Sequence, residues 1–249
     1  MKAQLLRLTT TAAFIALWWW ATDVLSADNP ILSNMSPVDA VSALSRAFAA
    51  GSIWGSIWVT LERLGLGLLI ASVVGVVIGW LLGSLRRVEQ SASLIVQFLR
   101  MVSPLSWAPV AIVLFGIGTA PVVFLIAIAA VWPIALNTSA GIKALDPNWT
   151  LLARSLGARS LEIIRTIVLP GIRAHVLTGL RLALGVAWIV LVPAEMLGVD
   201  SGLGFEILSA RDMIDYQLLA GVMLLIGLLG FAMDWLAQTV FKRWAAATA

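Results

Sequence analysis

Six stretches of this chain are predominantly apolar and long enough to cross a lipid bilayer: residues 8–26, 57–82, 91–115, 121–141, 172–197 and 217–240. A helix rises about 1.5 Å per residue, so roughly 20 apolar residues span the hydrocarbon core of a membrane. Lipid offers no partners to the backbone, so runs of this length are helices that satisfy their own hydrogen bonds. Composition agrees, with 61% hydrophobic and 12% charged residues, about half the charge of an average soluble domain. The expectation is an all-α membrane protein, with six transmembrane helices in one transmembrane domain over residues 1–249.

The charges orient those spans. Lys2 and Arg7 precede the first run, Arg86 and Arg87 follow the second, and Lys242 and Arg243 follow the sixth. Lys143, Arg154, Arg159, Arg165 and Arg173 fill the polar segment after the fourth. On the opposite side stand only Arg46 and Arg211, among the acids Asp23, Asp28, Asp39, Asp200, Glu206, Asp212 and Asp215. Lys and Arg accumulate in cytoplasmic loops, so both termini are expected in the cytoplasm. The same rule explains the net charge of +3 without nucleic acid, because no basic run is interleaved with aromatics for base stacking. The basic start and apolar run resemble a signal peptide, but no small-residue cleavage pattern is evident, and residues 8–26 read as the first span.

Several spans carry landmarks. Ser36-Pro37 is a capping pair expected to start an external helix lying on the membrane surface. Gly75, Gly79 and Gly83 recur on one face of the second span, as in helices that approach a neighbour closely. The third span contains Arg100 and then Ser103-Pro104-Leu105-Ser106-Trp107-Ala108-Pro109. Two prolines within bilayer depth mark a broken helix facing protein or water. A charge at mid-bilayer costs about 2.5–3.5 kcal/mol on insertion scales, so Arg100 should face a partner, a cavity or an interface. Trp132-Pro133 is expected to kink the fourth span, and the fifth carries Arg181, Pro193 and Glu195.

The polar segment reads as two short helices. Asp146 caps one that starts at Pro147 and ends before Gly157. Ser160 is expected to cap a second, Leu161 to Val168, with Pro170-Gly171 breaking it before the fifth span.

Ala153, Gly157 and Ile167-Val168-Leu169-Pro170 resemble, at the family spacing, the EAA motif of permease subunits of bacterial ATP-binding-cassette importers. Leu151 stands at the motif's glutamate position and Leu152 at its first alanine. The Pro37 helix, the Ser103–Pro109 break, Phe115-Gly116-Ile117-Gly118 and Ala194-Glu195-Met196-Leu197-Gly198 resemble the nitrate/sulfonate/taurine/bicarbonate branch. The break is closer in form to the nitrate and bicarbonate members than to the sulfonate ones. The resemblance implies a type I importer permease in the bacterial inner membrane, with a cytoplasmic coupling helix in the loop 143–171. It implies a second copy of the permease, two cytoplasmic ATPase subunits and an external solute-binding protein as partners. Docking on the ATPases would fall to Leu151, Leu152, Ala153, Arg154, Gly157, Ala158, Arg159, Ile167, Leu169 and Pro170. Arg100, Ser103, Pro104, Ser106, Trp107, Arg181 and Glu195 are the candidate pathway residues, and arginines on a pathway favour an anion by charge attraction.

No catalytic residue, metal or cofactor is expected. The chain has no cysteine and one histidine, His175, and lacks a Walker A sequence, as fits ATP hydrolysis on a separate subunit. An intramembrane enzyme built on Glu195, Asp234, Arg100 and His175 is disfavoured by the absence of HExxH and GxSxG. An ion-coupled carrier would draw on the same buried charges, but no inverted internal repeat is visible.

Overall fold

The structure is a computed structural model. It describes residues 2–26 and 28–246. Within them it describes the side chains of residues 5, 6, 8–26, 28, 29 and 31–240, so the side chains of Lys2, Arg7, Lys242 and Arg243 lie outside the described residues. All regular structure among the described residues is helical. The chain divides into two compact units: Met1–Thr60 with Val199–Phe231, and Leu61–Gly198 with Ala232–Ala249.

In the first unit, α1 (Lys2–Trp19) runs into one π-helical turn, Trp20–Val24. Trp18 Nε1 donates to the Met35 carbonyl at 3.1 Å, tying α1 to the segment after α2 (Pro30–Ser33). Helix α3 (Pro37–Ala50) begins where the sequence signals it. Ser36 Oγ accepts the Asp39 N–H at 3.2 Å, Pro37 occupies the first turn, and Gly51 ends the helix at φ 76°. Its buried face is Ala40 and Ala43, whereas Val38 and Val41 are exposed. The small face is buried because α12 (Tyr216–Ala246) presses on it: a Cβ on Gly221 would lie 2.8 Å from the Ala40 carbonyl oxygen. Thr60, near the start of α4 (Ser52–Ser84), accepts the Leu203 N–H at 2.8 Å and so tethers the first turn of α11 (Leu203–Asp212).

The second unit is built around α7 (Thr119–Ala144), whose buried residues occur on every side, among them Val122, Ile126, Ala130, Ile134 and Thr138. Gly67, Gly75, Gly79 and Gly83 of α4 face it. A Cβ on Gly75 would sit 2.9 Å from Ile134 Cβ and from the Val131 carbonyl oxygen, and one on Gly79 would sit 2.6 Å from Thr138 Cβ. From α10 (Leu169–Glu195), Gly179 meets the Pro133 carbonyl with only 3.1 Å for a Cβ. Van der Waals packing is the main attraction between helices in lipid, so these close backbone approaches are what hold α4 and α10 on α7. Pro133 lies inside the continuous helix α7, and its carbonyl accepts Asn137 Nδ2 at 2.8 Å.

The third apolar run is bent. Helix α5 (Arg86–Met101) stops at Val102, which is extended, and the chain restarts as a 3-10 turn, Pro104–Trp107, followed by α6 (Ala108–Phe115). The two parts meet at 89°. Proline disfavours helical geometry at the residue before it, so Pro104 breaks the helix at Ser103, and Pro109 falls in the first turn of α6 where its missing N–H is harmless.

Two expectations read differently against the helices, the first only in coarser form. Among the described residues, four helices are long and apolar enough to cross a membrane, or five if the bent pair is one span. Residues 8–26 are divided between α1, which ends at Trp19, and the π-helical turn after it, so the described helices support four or five spans. The second change is at Pro170-Gly171, which does not break the helix. Residues Ser160–Glu195 run as one helix of 36 residues, because a π-helical turn, Ile164–Val168, precedes the proline. Leu169 N–H already bonds back five residues, to Ile164. A widened turn of this kind accommodates a ring that has no N–H to give.

Candidate functional site

The polar loop is the first candidate. Asp146 accepts the Asn148 N–H at 2.9 Å and starts α8 (Pro147–Ser155). The end of α8 is a Schellman motif: Ala158 N–H reaches the Ala153 carbonyl at 3.0 Å and Gly157 N–H reaches that of Arg154 at 3.0 Å. This closure needs the left-handed geometry that Gly157 supplies at φ 86°. The following helix, α9 (Ser160–Ile163), is capped differently from the expectation. Arg159 is the capping residue, and the Glu162 carboxylate accepts its N–H at 2.7 Å, half of a capping box. Ser160 is the first helical residue.

The face that this loop shows is apolar. Trp149, Leu151, Leu152 and Leu156 are all exposed, Leu156 to 80%. Arg154 and Arg159 stand exposed among them, with Ala153 and Ala158 half-buried. Three large apolar side chains on a nine-residue helix and a fourth at its C-cap are the pattern of a surface made to be covered. Of the remaining motif residues, Ile167 is half-buried and Leu169 and Pro170 are exposed.

The second candidate is a cavity of about 490 Å³ at the bend, lined by Arg100, Pro104, Trp107, Trp132, Asn137 and neighbouring apolar side chains of α5, α7 and α10. Of the residues expected on a pathway, Arg100, Pro104 and Trp107 therefore come together, and Ser103 and Ser106 lie exposed on the same bend. A smaller cavity of about 330 Å³ shares Arg100 and continues along α5 to Ser93, Gln97, Ser139 and the ion pair between Lys143 and Glu89.

Arg181 and Glu195 are placed elsewhere. Arg181 Nε lies 3.3 Å from Asp234 on α12, both about half exposed, and Asp234 also accepts Gln238 Nε2 at 2.6 Å. Glu195 is 0% exposed and accepts Arg63 Nη1 at 2.9 Å, while Arg63 Nε donates to Thr119 Oγ1 at 3.3 Å. Arg63, itself 2% exposed, joins α4, α7 and α10 and was not singled out from the sequence. The available signal was the charged pair Glu62-Arg63 inside an apolar run, which calls for a partner in another span. Among the described residues no group of three or more potential metal ligands occurs.

Comparison with known proteins gives this arrangement a lineage. The chain is 31% identical over 239 residues to a putative ABC transporter permease protein of Methanocaldococcus jannaschii, covering 94% of this chain and 88% of that one. It is 29% identical over 237 residues to the nitrate import permease protein NrtB of Synechococcus elongatus, covering 91% and 85%. Its fold is similar to that of a chain in the MetNI methionine ABC transporter, solved in inward facing conformations, with a TM-score of 0.65 at 20% identity over 78% of this chain and 94% of that one. Residues 71–246 match the model of one family over most of the chain, and the protein belongs to that family, the binding-protein-dependent transport system inner membrane components.

Proposed function

We propose that this chain is the permease subunit of an ATP-driven importer that moves a small anion into the cytoplasm by alternating access. The observation that carries the reading is α8: a capped helix with an exposed apolar face, closed by the Schellman turn at Gly157, in a chain of this family. In this reading the loop 143–171 lies in the cytoplasm and seats α8 in a groove of an ATPase. Leu151 makes there an apolar contact in place of the motif's usual glutamate. Arg154 and Arg159 border that contact, and the continuous helix Ser160–Glu195 carries movement of the ATPase into the fifth span. A helix without a break at Pro170 is a stiffer lever than two helices joined by a turn.

The rest of the reading follows from the charge distribution. Residues 8–26 form the first of six spans, both termini lie inside, and α3 lies at the outer surface, all within one transmembrane domain, 1–249. Two copies of the chain assemble with two ATPase subunits in the bacterial inner membrane, and an external binding protein delivers the solute. The pathway passes the bend at Ser103, Pro104, Ser106 and Trp107 under the field of Arg100. Arg181 and Glu195 stand beside that route, each held by its partner, Asp234 and Arg63. Similarity to a nitrate permease supports an anion, as does the arginine at the cavity.

The test is capture of an ATPase. Tagged full-length chain purified from membranes of its own host should bring down a subunit that hydrolyses ATP, and Gly157→Val, strained at a positive φ, should abolish the capture. Capture equal in both proteins would overturn the docking assignment.

A further inference from the structure

Arg63, Arg100 and Arg181 stand within three of the apolar runs, and they are not used alike. Arg63 has Glu195 and Arg181 has Asp234. Among the described residues Arg100 has no carboxylate and no hydrogen-bond partner, although it lines two cavities at once. Arg100 is exposed, so its charge stays open to whatever enters these cavities, and a guanidinium beside apolar walls is best answered by a negative group. In the larger cavity no side chain can do so, because none of its lining residues is acidic. What the lining does offer is donors. Trp107 and Trp132 carry indole N–H groups, and Asn137 uses one amide hydrogen on the Pro133 carbonyl and keeps another.

We infer that Arg100 is the anion-binding residue of a two-chambered site, selective for small monovalent oxyanions that carry no cationic group. The inference deepens the permease reading and rests on it for direction. The first chamber holds a planar or compact oxyanion on the guanidinium fork, which presents paired N–H groups to paired oxygens. Asn137 and the two tryptophans are positioned as supplementary donors. The absence of a carboxylate is the selective element. A sulfonate bearing an ammonium group would bring a cation into a chamber that already contains one, with no acceptor of opposite charge. The second chamber, on the cytoplasmic side, begins at Arg100 and ends at Lys143. Its polar lining, Ser93, Gln97 and Ser139, rehydrates the departing ion. The Lys143–Glu89 pair, both partners about 43% exposed, stands at its mouth and supplies a second cation that Glu89 partly neutralises, so the ion is drawn on toward the cytoplasm without being trapped.

Titration calorimetry on the detergent-solubilised full chain, with sodium nitrate and with taurine at matched ionic strength, tests this. Nitrate should bind at least tenfold tighter than taurine. Arg100→Gln should weaken nitrate tenfold or more, Arg100→Lys should recover part of that loss by restoring the charge, and Arg211→Gln, at an exposed arginine paired with Asp212, should bind as the parent does. Gel filtration and helical circular dichroism establish that Arg100→Gln is folded. The inference is overturned if the parent binds no nitrate, if taurine binds as tightly as nitrate, or if Arg100→Gln binds as the parent does. Loss of the binding result while an ATPase still co-purifies would remove the site and leave the permease reading standing. Anion binding without ATPase capture would do the reverse.

Discussion

Arg63 and Arg100 are the same side chain in two helices of the same unit, and the molecule treats them in opposite ways. Arg63 lies within α4, is 2% exposed, and meets a fully buried carboxylate and a hydroxyl from two other helices. Arg100 lies in the last turn of α5, one step before a proline break, and opens onto two cavities. The difference lies in what surrounds the charge. A continuous helix packed by glycine faces leaves no room for solvent, so its cation must be neutralised by protein. A broken helix opens space beside the chain, and its cation is left for something that comes and goes. The contrast separates structural charge from working charge more sharply than position in the sequence does.

The contrast can be broken by measurement. The largest effect should come from Arg63→Ala: removing one partner of a buried pair strands the other, at a cost of about 3–5 kcal/mol. Thermal unfolding in detergent reads it, and Arg63→Met with Glu195→Leu should recover most of the loss. An Arg63→Ala protein that melts like its parent would erase the distinction. Next comes Gly79→Leu, which forces side-chain atoms into the α4–α7 contact near Thr138 and should cost about 1–3 kcal/mol in the same assay. Arg181→Gln tests an intermediate case, an ion pair about half exposed. Exposed pairs contribute about 0–1 kcal/mol, so its melting should shift little and become indistinguishable from the parent at high salt. Arg100→Gln should change stability least, within about 0.5 kcal/mol, while vesicle uptake of nitrate by the assembled complex falls tenfold or more. A large loss of stability in Arg100→Gln would move it into the class of Arg63.

Much of the fold was legible because its signals are local. The Ser36-Pro37 start of α3, the Asp146-Pro147 start of α8 and the left-handed Gly157 are each decided by the backbone groups of a few neighbouring residues, and a few neighbouring residues announce them. The glycine repeat of α4 also declared a close helix partner, though not which one. The bend was legible from Pro104 and Pro109, and its angle was not. Pro170 misled because a proline's effect depends on the register of the turn before it, and the π turn at Ile164–Val168 has no sequence signature of its own.

The candidate site divides along the same line. The loop residues from Leu151 to Pro170 are consecutive enough for a motif to mark them. The cavity is assembled from α5, α7 and α10, and Trp132 and Asn137 entered it only through packing. The pairing of Arg63 with Glu195 spans 132 residues, and that of Arg181 with Asp234 spans 53, so no local pattern announces either.

Membrane residence, the starts of α3 and α8 and the left-handed turn at Gly157 follow from residues that stand together in the chain. Hydropathy, capping and charge act over one or two turns, and a reader of the sequence sees them whole. That Arg63 and Arg181 meet carboxylates while Arg100 faces open space follows from packing alone. That choice depends on distances between helices, and those are set by where glycine lets two backbones close on each other and where proline keeps them apart.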